Sequence, residues 1–338
     1  MRSVRTRPTI TDIARLCEVT PATVSRVLNR KREFSTSAAV RERILQTAHR
    51  LGYVPDLAAR NLNRKHTHII GIFASPKTHV AEGTYELYLE GIEEVLHASE
   101  YDAFFDLSAR REHAVPFWRF DGAILLQSPP AELVAELDRR HVPYVCVNEK
   151  VGTPVAQVLA DDAKGTRLAV EHLHQLGHRR IAYANARATY LAHYSVAERH
   201  GTLVEAVRKH RMSLADGHDA PFASVEEFLR VSVVGAAATA VITYDHRIAV
   251  ELVGATYGMN LRIPQDLGVV CFNDLFPVAV MPPPLTAITV PGREMGRLGA
   301  ELLLKSLGSD GAVKGVKEIR VPEHLVVRAS TGAAAAGC

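Results

Sequence analysis

Thr9-Ile10-Thr11-Asp12-Ile13-Ala14, followed by Val19-Thr20-Pro21-Ala22-Thr23-Val24-Ser25-Arg26-Val27-Leu28-Asn29, is the stretch on which the reading of this chain turns. Thr9 with Asp12 three residues later can cap a helix and set a carboxylate at its positive end. Ile10, Ile13, Ala14 and Leu16 then supply an apolar stripe, which Cys17-Glu18-Val19 interrupts. Thr20-Pro21 restarts it, with a capping hydroxyl and a proline in the first turn, where the missing N–H costs nothing. Ala22, Val24, Val27 and Leu28 face a core, and Thr23, Ser25, Arg26 and Asn29 carry hydrogen-bonding groups. A third amphipathic helix is predicted from about Ser37 to Leu51, with Gly52 as its stop. Two short helices joined by a three-residue turn and braced by a third make a helix-turn-helix. Spacing alone also admits a small structural bundle with a solvated basic face.

Charge points to the same region. The 338 residues carry a formal net charge of only +3, but residues 1–66 hold 14 Lys+Arg against 5 Asp+Glu, a net of +9, and the remainder is acidic at −6. Such asymmetry suggests a polyanionic partner for the head. The rest of the composition, 47% hydrophobic and 23% charged with 22 Gly and 17 Pro, is that of an ordinary globular protein of about two domains. Cys17, Cys146, Cys271 and Cys338 are scattered, which predicts reduced thiols. The first 30 residues contain no apolar core of a secretory signal. The longest nearly apolar run, Val231 to Ile242, falls short of the ~20 residues that span a bilayer. A cytoplasmic protein with no membrane partner is expected.

After His68 short apolar runs alternate with helix-length amphipathic segments. Residues 69–73, 123–126, 144–147, 181–183, 240–242 and 267–270 read as buried parallel strands. Helical patterns cover about 84–98, 130–140, 164–176, 196–211, 246–258 and 292–306. The alternation predicts a doubly wound α/β body, with a ligand cleft at the carboxyl ends of its strands.

The head, together with Leu51-Gly52-Tyr53-Val54-Pro55 and Ala59-Arg60-Asn61-Leu62, resembles the DNA-binding region of the lactose-repressor (LacI/GalR) family. The resemblance continues through Asp121-Gly122, Glu171 to Ile181, Ile263-Pro264-Gln265-Asp266, Pro284-Leu285-Thr286, Glu294-Met295-Gly296 and Leu325-Val326-Val327-Arg328. It implies a helix-turn-helix head over residues 1–55, a hinge segment over 56–66, and an effector-binding and dimerisation body over 67–338 with two α/β lobes like a periplasmic sugar-binding protein. It implies a homodimeric transcriptional regulator, a repressor by the family's habit, that binds a near-palindromic operator and is modulated by a small molecule.

By that resemblance the second helix enters the major groove. Pro21, Ala22 and Arg26 stand at base-reading positions, and Thr20, Thr23, Ser25 and Asn29 hold phosphates. Arg26 alone can donate to both acceptors of guanine. Lys31 and Arg32 add charge without specificity. Ala59 and Leu62 belong to the segment that folds on the operator, with Leu62 as a minor-groove wedge. In the body, Ser75, Asn148, Tyr244 and Asn273 fall by register on the effector cleft, with Tyr85 and Tyr88 offering aromatic faces.

This chain also departs from the pattern. Glu18 replaces a usual glycine, the Ser35–Val40 loop is about two residues longer, and the Tyr101–Asp121 interval is short enough to lose a helix. Glu198 occupies the place of a common cleft arginine, with Arg199 one position later; Asn148 and Asn273 stand for carboxylates, and Tyr244 for an asparagine. A plain hexose fits that set poorly. A sugar derivative, another metabolite or loss of ligand response stay open.

Competing chemistry finds little support. His172, His174 and His178 lack any zinc signature, Asp161-Asp162 suits a domain hinge better than an acid/base pair, and no nucleophile elbow, phosphate loop or dinucleotide fingerprint is present. No metal, cofactor or catalytic activity is predicted. A solute-binding protein without a regulatory role is the alternative, and it leaves the basic head unexplained.

Overall fold

In a computed structural model the chain divides into two compact units, 1–66 and 67–338. Residues 8–28, 36–53, 66–74, 83–106, 119–127, 129–152, 155–188, 191–308 and 318–334 are described.

The small unit is built from three helices, α1 (Ile10–Leu16), α2 (Pro21–Leu28) and α3 (Ala38–Leu51). A capping box opens α1: the Thr9 hydroxyl accepts from the Asp12 amide, and the Asp12 carboxylate accepts from the Thr9 amide at 3.0 Å. The Thr20 hydroxyl accepts from the Thr23 amide at the start of α2, and Ser37 caps α3, which ends at Gly52 in the left-handed region. Ile13, Ala14, Cys17, Val24, Val27, Ile44 and Ala48 form its core. Arg43 on α3 donates to the Cys17 carbonyl at 2.9 Å, fixing the turn between the first two helices. In that turn Glu18 lies at φ +53, the left-handed conformation that its usual glycine would adopt without strain.

The large unit contains two six-stranded sheets. The first runs β11-β5-β4-β3-β1-β2 and is parallel throughout. Its strands are β1 (Ile69–Ala74), β2 (Asp102–Asp106), β3 (Gly122–Leu126), β4 (Tyr144–Val147), β5 (Ala156–Asp161) and β11 (Glu318–Pro322). The second, β12-β10-β9-β8-β6-β7, is parallel except for the antiparallel pair β10/β12. Its strands are β6 (Arg180–Ala184), β7 (Ser213–Leu214), β8 (Ala240–Thr243), β9 (Gly268–Phe272), β10 (Thr286–Ile288) and β12 (Leu325–Val326). Each sheet repeats one doubly wound order, so each reverses direction beside its first strand, where ligands lodge in such folds.

Helices cover both sheets: α4 (Thr84–His97), α5 (Ala131–Arg139) and α10 (Gly292–Gly308) in one lobe, α6 (Asp162–Gln175), α7 (Tyr194–Lys209), α8 (Val225–Phe228) and α9 (His246–Gly258) in the other. The chain passes between lobes three times, at Asp161–Asp162, between β10 and α10, and between β11 and β12. A Cβ on Gly296 would stand 2.1 Å from the Tyr88 carbonyl, so only glycine lets α10 approach α4 this closely.

The helices lie within two residues of their predicted bounds. Strands β2, β5, β7, β10, β11 and β12 were not predicted, nor was α8 with the π-helical turn Leu229–Gly235 that extends it. The hinge segment lies almost wholly outside the described residues, as does most of the shortened interval before Asp121. Among the described residues no helix is long and apolar enough to cross a membrane.

Replacing Glu18 by glycine removes a side chain from a left-handed position. We expect Glu18→Gly to stabilise the small unit by about 0.5–1 kcal/mol, read from its urea midpoint; a lower midpoint would show that Glu18 makes a compensating contact.

Candidate functional site

The exposed face of α2 is the first candidate. Val24 and Val27 are buried against α1 and α3, which turns Pro21, Ala22 and Arg26 outward. Ala22 and Arg26 are one helical turn apart and share that face. Thr20 is exposed beside them, and Thr23 and Ser25 are half-buried at its edges. Asn29, Ala59 and Leu62 lie outside the described residues.

The second candidate is a narrow cleft between the lobes of the large unit. Thr84 and Tyr88 border it from α4, and Gln127 and Asn148 from the ends of β3 and β4. The second lobe brings His193, Ser195 and Arg199 from α7, Tyr244 and Asp245 after β8, and Asn273 after β9. Asn148 and Asn273 hold equivalent corners of the two sheets, at φ +58 and +68, a backbone that asparagine tolerates better than most residues. Of the predicted ligand-binding residues, Asn148, Arg199, Tyr244 and Asn273 border this space. Tyr85 does not: it is 2% exposed, inside the core, with its ring edge-on to Tyr88, and Tyr88 is the aromatic that reaches the cleft. Ser75 lies outside the described residues.

Arg199 organises the floor. Its Nε donates to Asp162 Oδ1 at 2.5 Å and its Nη1 to the Tyr244 carbonyl at 2.7 Å, while Nη2 stands 3.8 Å from Glu323 Oε1. The guanidinium is 3.9 Å from the centre of the Phe272 ring. Burial disfavours its charge, but Asp162 and Glu323 outweigh that and push its pKa upward. Gly165 makes room for the arrangement, since a Cβ there would meet Glu323 Oε2 at 1.9 Å. Glu198, one residue earlier on α7, points to the rim and pairs with Lys150 and Arg320 of the other lobe. The one-residue offset noted in the sequence therefore sends a cation inward and a carboxylate outward.

A hydrogen-bonded chain closes the opposite wall. His193 bonds the Asn148 carbonyl at 2.9 Å and Ser195 Oγ at 2.8 Å, and Ser195 Oγ meets the Tyr244 hydroxyl at 2.8 Å. The Tyr194 hydroxyl donates to Asn148 Oδ1 at 3.1 Å. Sequence reasoning missed His193, Ser195, Gln127 and Glu323. Ser195 was within reach, because it lies one turn before Arg199 on the same helix face; Glu323 carried no local signal. The three histidines have separate tasks: His172 bonds Thr331, His178 bonds Thr239 and the Gly332 carbonyl, and His174 stacks on His210. Among the described residues no group of three side chains is placed to hold a metal ion.

Two family matches divide along these features. Residues 9–56 match the bacterial regulatory proteins of the lacI family, and residues 170–331 match a periplasmic binding protein-like domain. The head is thus similar to the lacI family, and much of the body to a periplasmic binding protein-like domain. The chain's relatives include the probable HTH-type transcriptional repressor ExuR of Bacillus subtilis, 26% identical over 94% of this chain and 97% of that protein. The HTH-type transcriptional regulator CelR of Thermobifida fusca is 28% identical over 96% of this chain and 99% of that protein. Among solved structures, the Lac repressor dimer bound to operator and the anti-inducer ONPF matches with a TM-score of 0.79 at 23% identity, covering 97% of this chain and 100% of that one. A CelR–cellobiose complex matches at 0.65 and 24%, covering 96% and 100%.

Truncating Arg199 would leave two carboxylates buried without their cation. Arg199→Ala should cost about 3–5 kcal/mol in urea unfolding of the large unit. A loss below about 1 kcal/mol would show that the carboxylates find other partners.

Proposed function

We propose that this chain is a lacI-family transcriptional repressor that binds a near-palindromic operator as a homodimer and is modulated by a small molecule held in the cleft. The observation that carries this reading is the exposed face of α2, which presents Arg26 with Pro21 and Ala22 on a +9 unit. A groove-reading helix needs such a face: one planar donor fork for a guanine, and small apolar neighbours that let the backbone come close. Thr20, Thr23, Ser25 and Asn29 serve as phosphate anchors that set register. Ala59 and Leu62 form the minor-groove element, with Leu62 inserted between base steps to bend the duplex. A solute-binding role would leave all of these residues without a task. The protein acts where the chromosome is, in the cytoplasm, and reads DNA rather than catalysing a reaction.

Dimerisation uses the second lobe. Phe276 is 83% exposed, Val280 69% and Tyr257 65%, and the Tyr257 hydroxyl donates to the Pro282 carbonyl in the same loop as Phe276 and Val280. A second copy covers these side chains and brings two α2 helices to successive half-sites of the operator. The effector binds at Asn148, Arg199, Tyr244 and Asn273, with Ser75 as a further contact and Tyr85 supporting Tyr88 from the core. It alters operator affinity to the extent that it binds one lobe arrangement better than another.

Two measurements test this reading. In DNA selected from a random pool, Arg26→Ala should flatten the preference at one guanine per half-site and weaken the best site by about 1–3 kcal/mol; an unchanged preference overturns the assignment. In light scattering, Phe276→Asp should move the protein from dimer to monomer and weaken operator binding. A variant that stays dimeric places the interface elsewhere.

A further inference from the structure

The floor of the cleft holds more carboxylate than its one guanidinium can answer. Arg199 hydrogen-bonds Asp162 and the Tyr244 carbonyl, and its Nη2 stands 3.8 Å from Glu323 Oε1, beyond hydrogen-bond reach. Asp162 Oδ2 and both oxygens of Glu323 have no hydrogen-bond partner among the described residues, although Asp162 is 1% exposed and Glu323 0%. Glu323 borders the cleft directly. Asp245, also on the wall, caps the Ile248 amide at 2.8 Å and lies 3.6 Å from Arg247. His193 uses both ring nitrogens, on Ser195 and on the Asn148 carbonyl. The described walls therefore offer three carboxylates, Asp162, Asp245 and Glu323, against the single guanidinium of Arg199.

We propose that the cleft takes a ligand carrying a cationic nitrogen beside its hydroxyls, an amino sugar or an amine of similar size, and that Glu323 with Asp162 Oδ2 receives the nitrogen. This inference rests on the effector reading above and names the class of effector. A buried carboxylate without a partner is costly, and a ligand ammonium supplies both the missing charge and the missing donors. Asn273, Gln127 and Thr84 are placed for the hydroxyls. A uronate or a sugar phosphate would instead set a new anion beside Asp162, Asp245 and Glu323.

The surroundings of Glu323 favour its protonated form. Burial first, and then the charge of Asp162, push the Glu323 carboxyl well above the ordinary range; Asp161 and Glu198 add to this, and Arg199 opposes it. A cation entering beside Glu323 favours the ionised form and expels that proton. Binding of an amine therefore tightens as pH rises toward the raised value and levels off above it.

The test uses the full chain. Thermal shift is measured with glucose, glucosamine, galactosamine, glucuronate, galacturonate, glucose 6-phosphate, putrescine and agmatine, and calorimetry follows on each binder in phosphate and in Tris. Amine-bearing probes should bind most tightly, gain affinity as pH rises, and release protons on binding, seen as a heat difference between buffers. Glu323→Gln should weaken the amine by at least about tenfold and abolish the proton release; the proton count on the unaltered protein needs no variant. Preference for a uronate or phosphate overturns the inference and leaves the effector reading standing, as does an amine that binds with no proton released. Binding by none of the probes overturns both.

Discussion

Arg199 sits at the floor of the cleft because two carboxylates from distant parts of the chain meet it there, and the large unit is arranged around that meeting. Asp162 opens α6 at the first passage between lobes, and Glu323 lies at the third. A buried guanidinium is tolerable where charge and hydrogen bonds answer it, and here Asp162 and the Tyr244 carbonyl accept from it while the Phe272 ring covers its face. The three groups come together only when both sheets, α6 and α7 are in place. The floor of the site is thus a product of the tertiary fold rather than of any one segment, and it joins the points at which the lobes are connected.

The small unit obeys a different constraint. With seven buried apolar side chains among the described residues, it holds its helices also by their ends: the capping box at Thr9, the hydroxyl of Thr20, Ser37 before α3 and the left-handed Gly52 after it. The outer face of α2 keeps Pro21, Ala22 and Arg26 exposed to solvent.

Much of this could be read in the sequence because the signals are local. The caps of α1, α2 and α3 lie within four residues of what they cap, and the amphipathic stripes of the body repeat at helical spacing. Strands such as β2, with Asp102 and Asp106 at its ends, and β5, interrupted by Gln157, lack an unbroken apolar run and passed unnoticed. The cleft was half legible. Asn148, Tyr244 and Asn273 follow strands that the alternation locates, whereas the choice between Glu198 and Arg199 depends on the rotation of α7, which spacing does not fix to within one residue. Tyr85 and Tyr88 posed the same difficulty on α4, where three positions separate a core ring from a cleft ring. Glu323 was hidden altogether, since its neighbours Asp162, Gly165 and Arg199 are brought to it only by the third passage of the chain.

The three passages between lobes also have a mechanical meaning. Two bodies tied by one strand can swivel in any direction, and two ties still permit twisting about the line that joins them. Three ties, with Asp162 at the first, Glu323 at the third and Arg199 meeting both, restrain the lobes more than one or two crossings would.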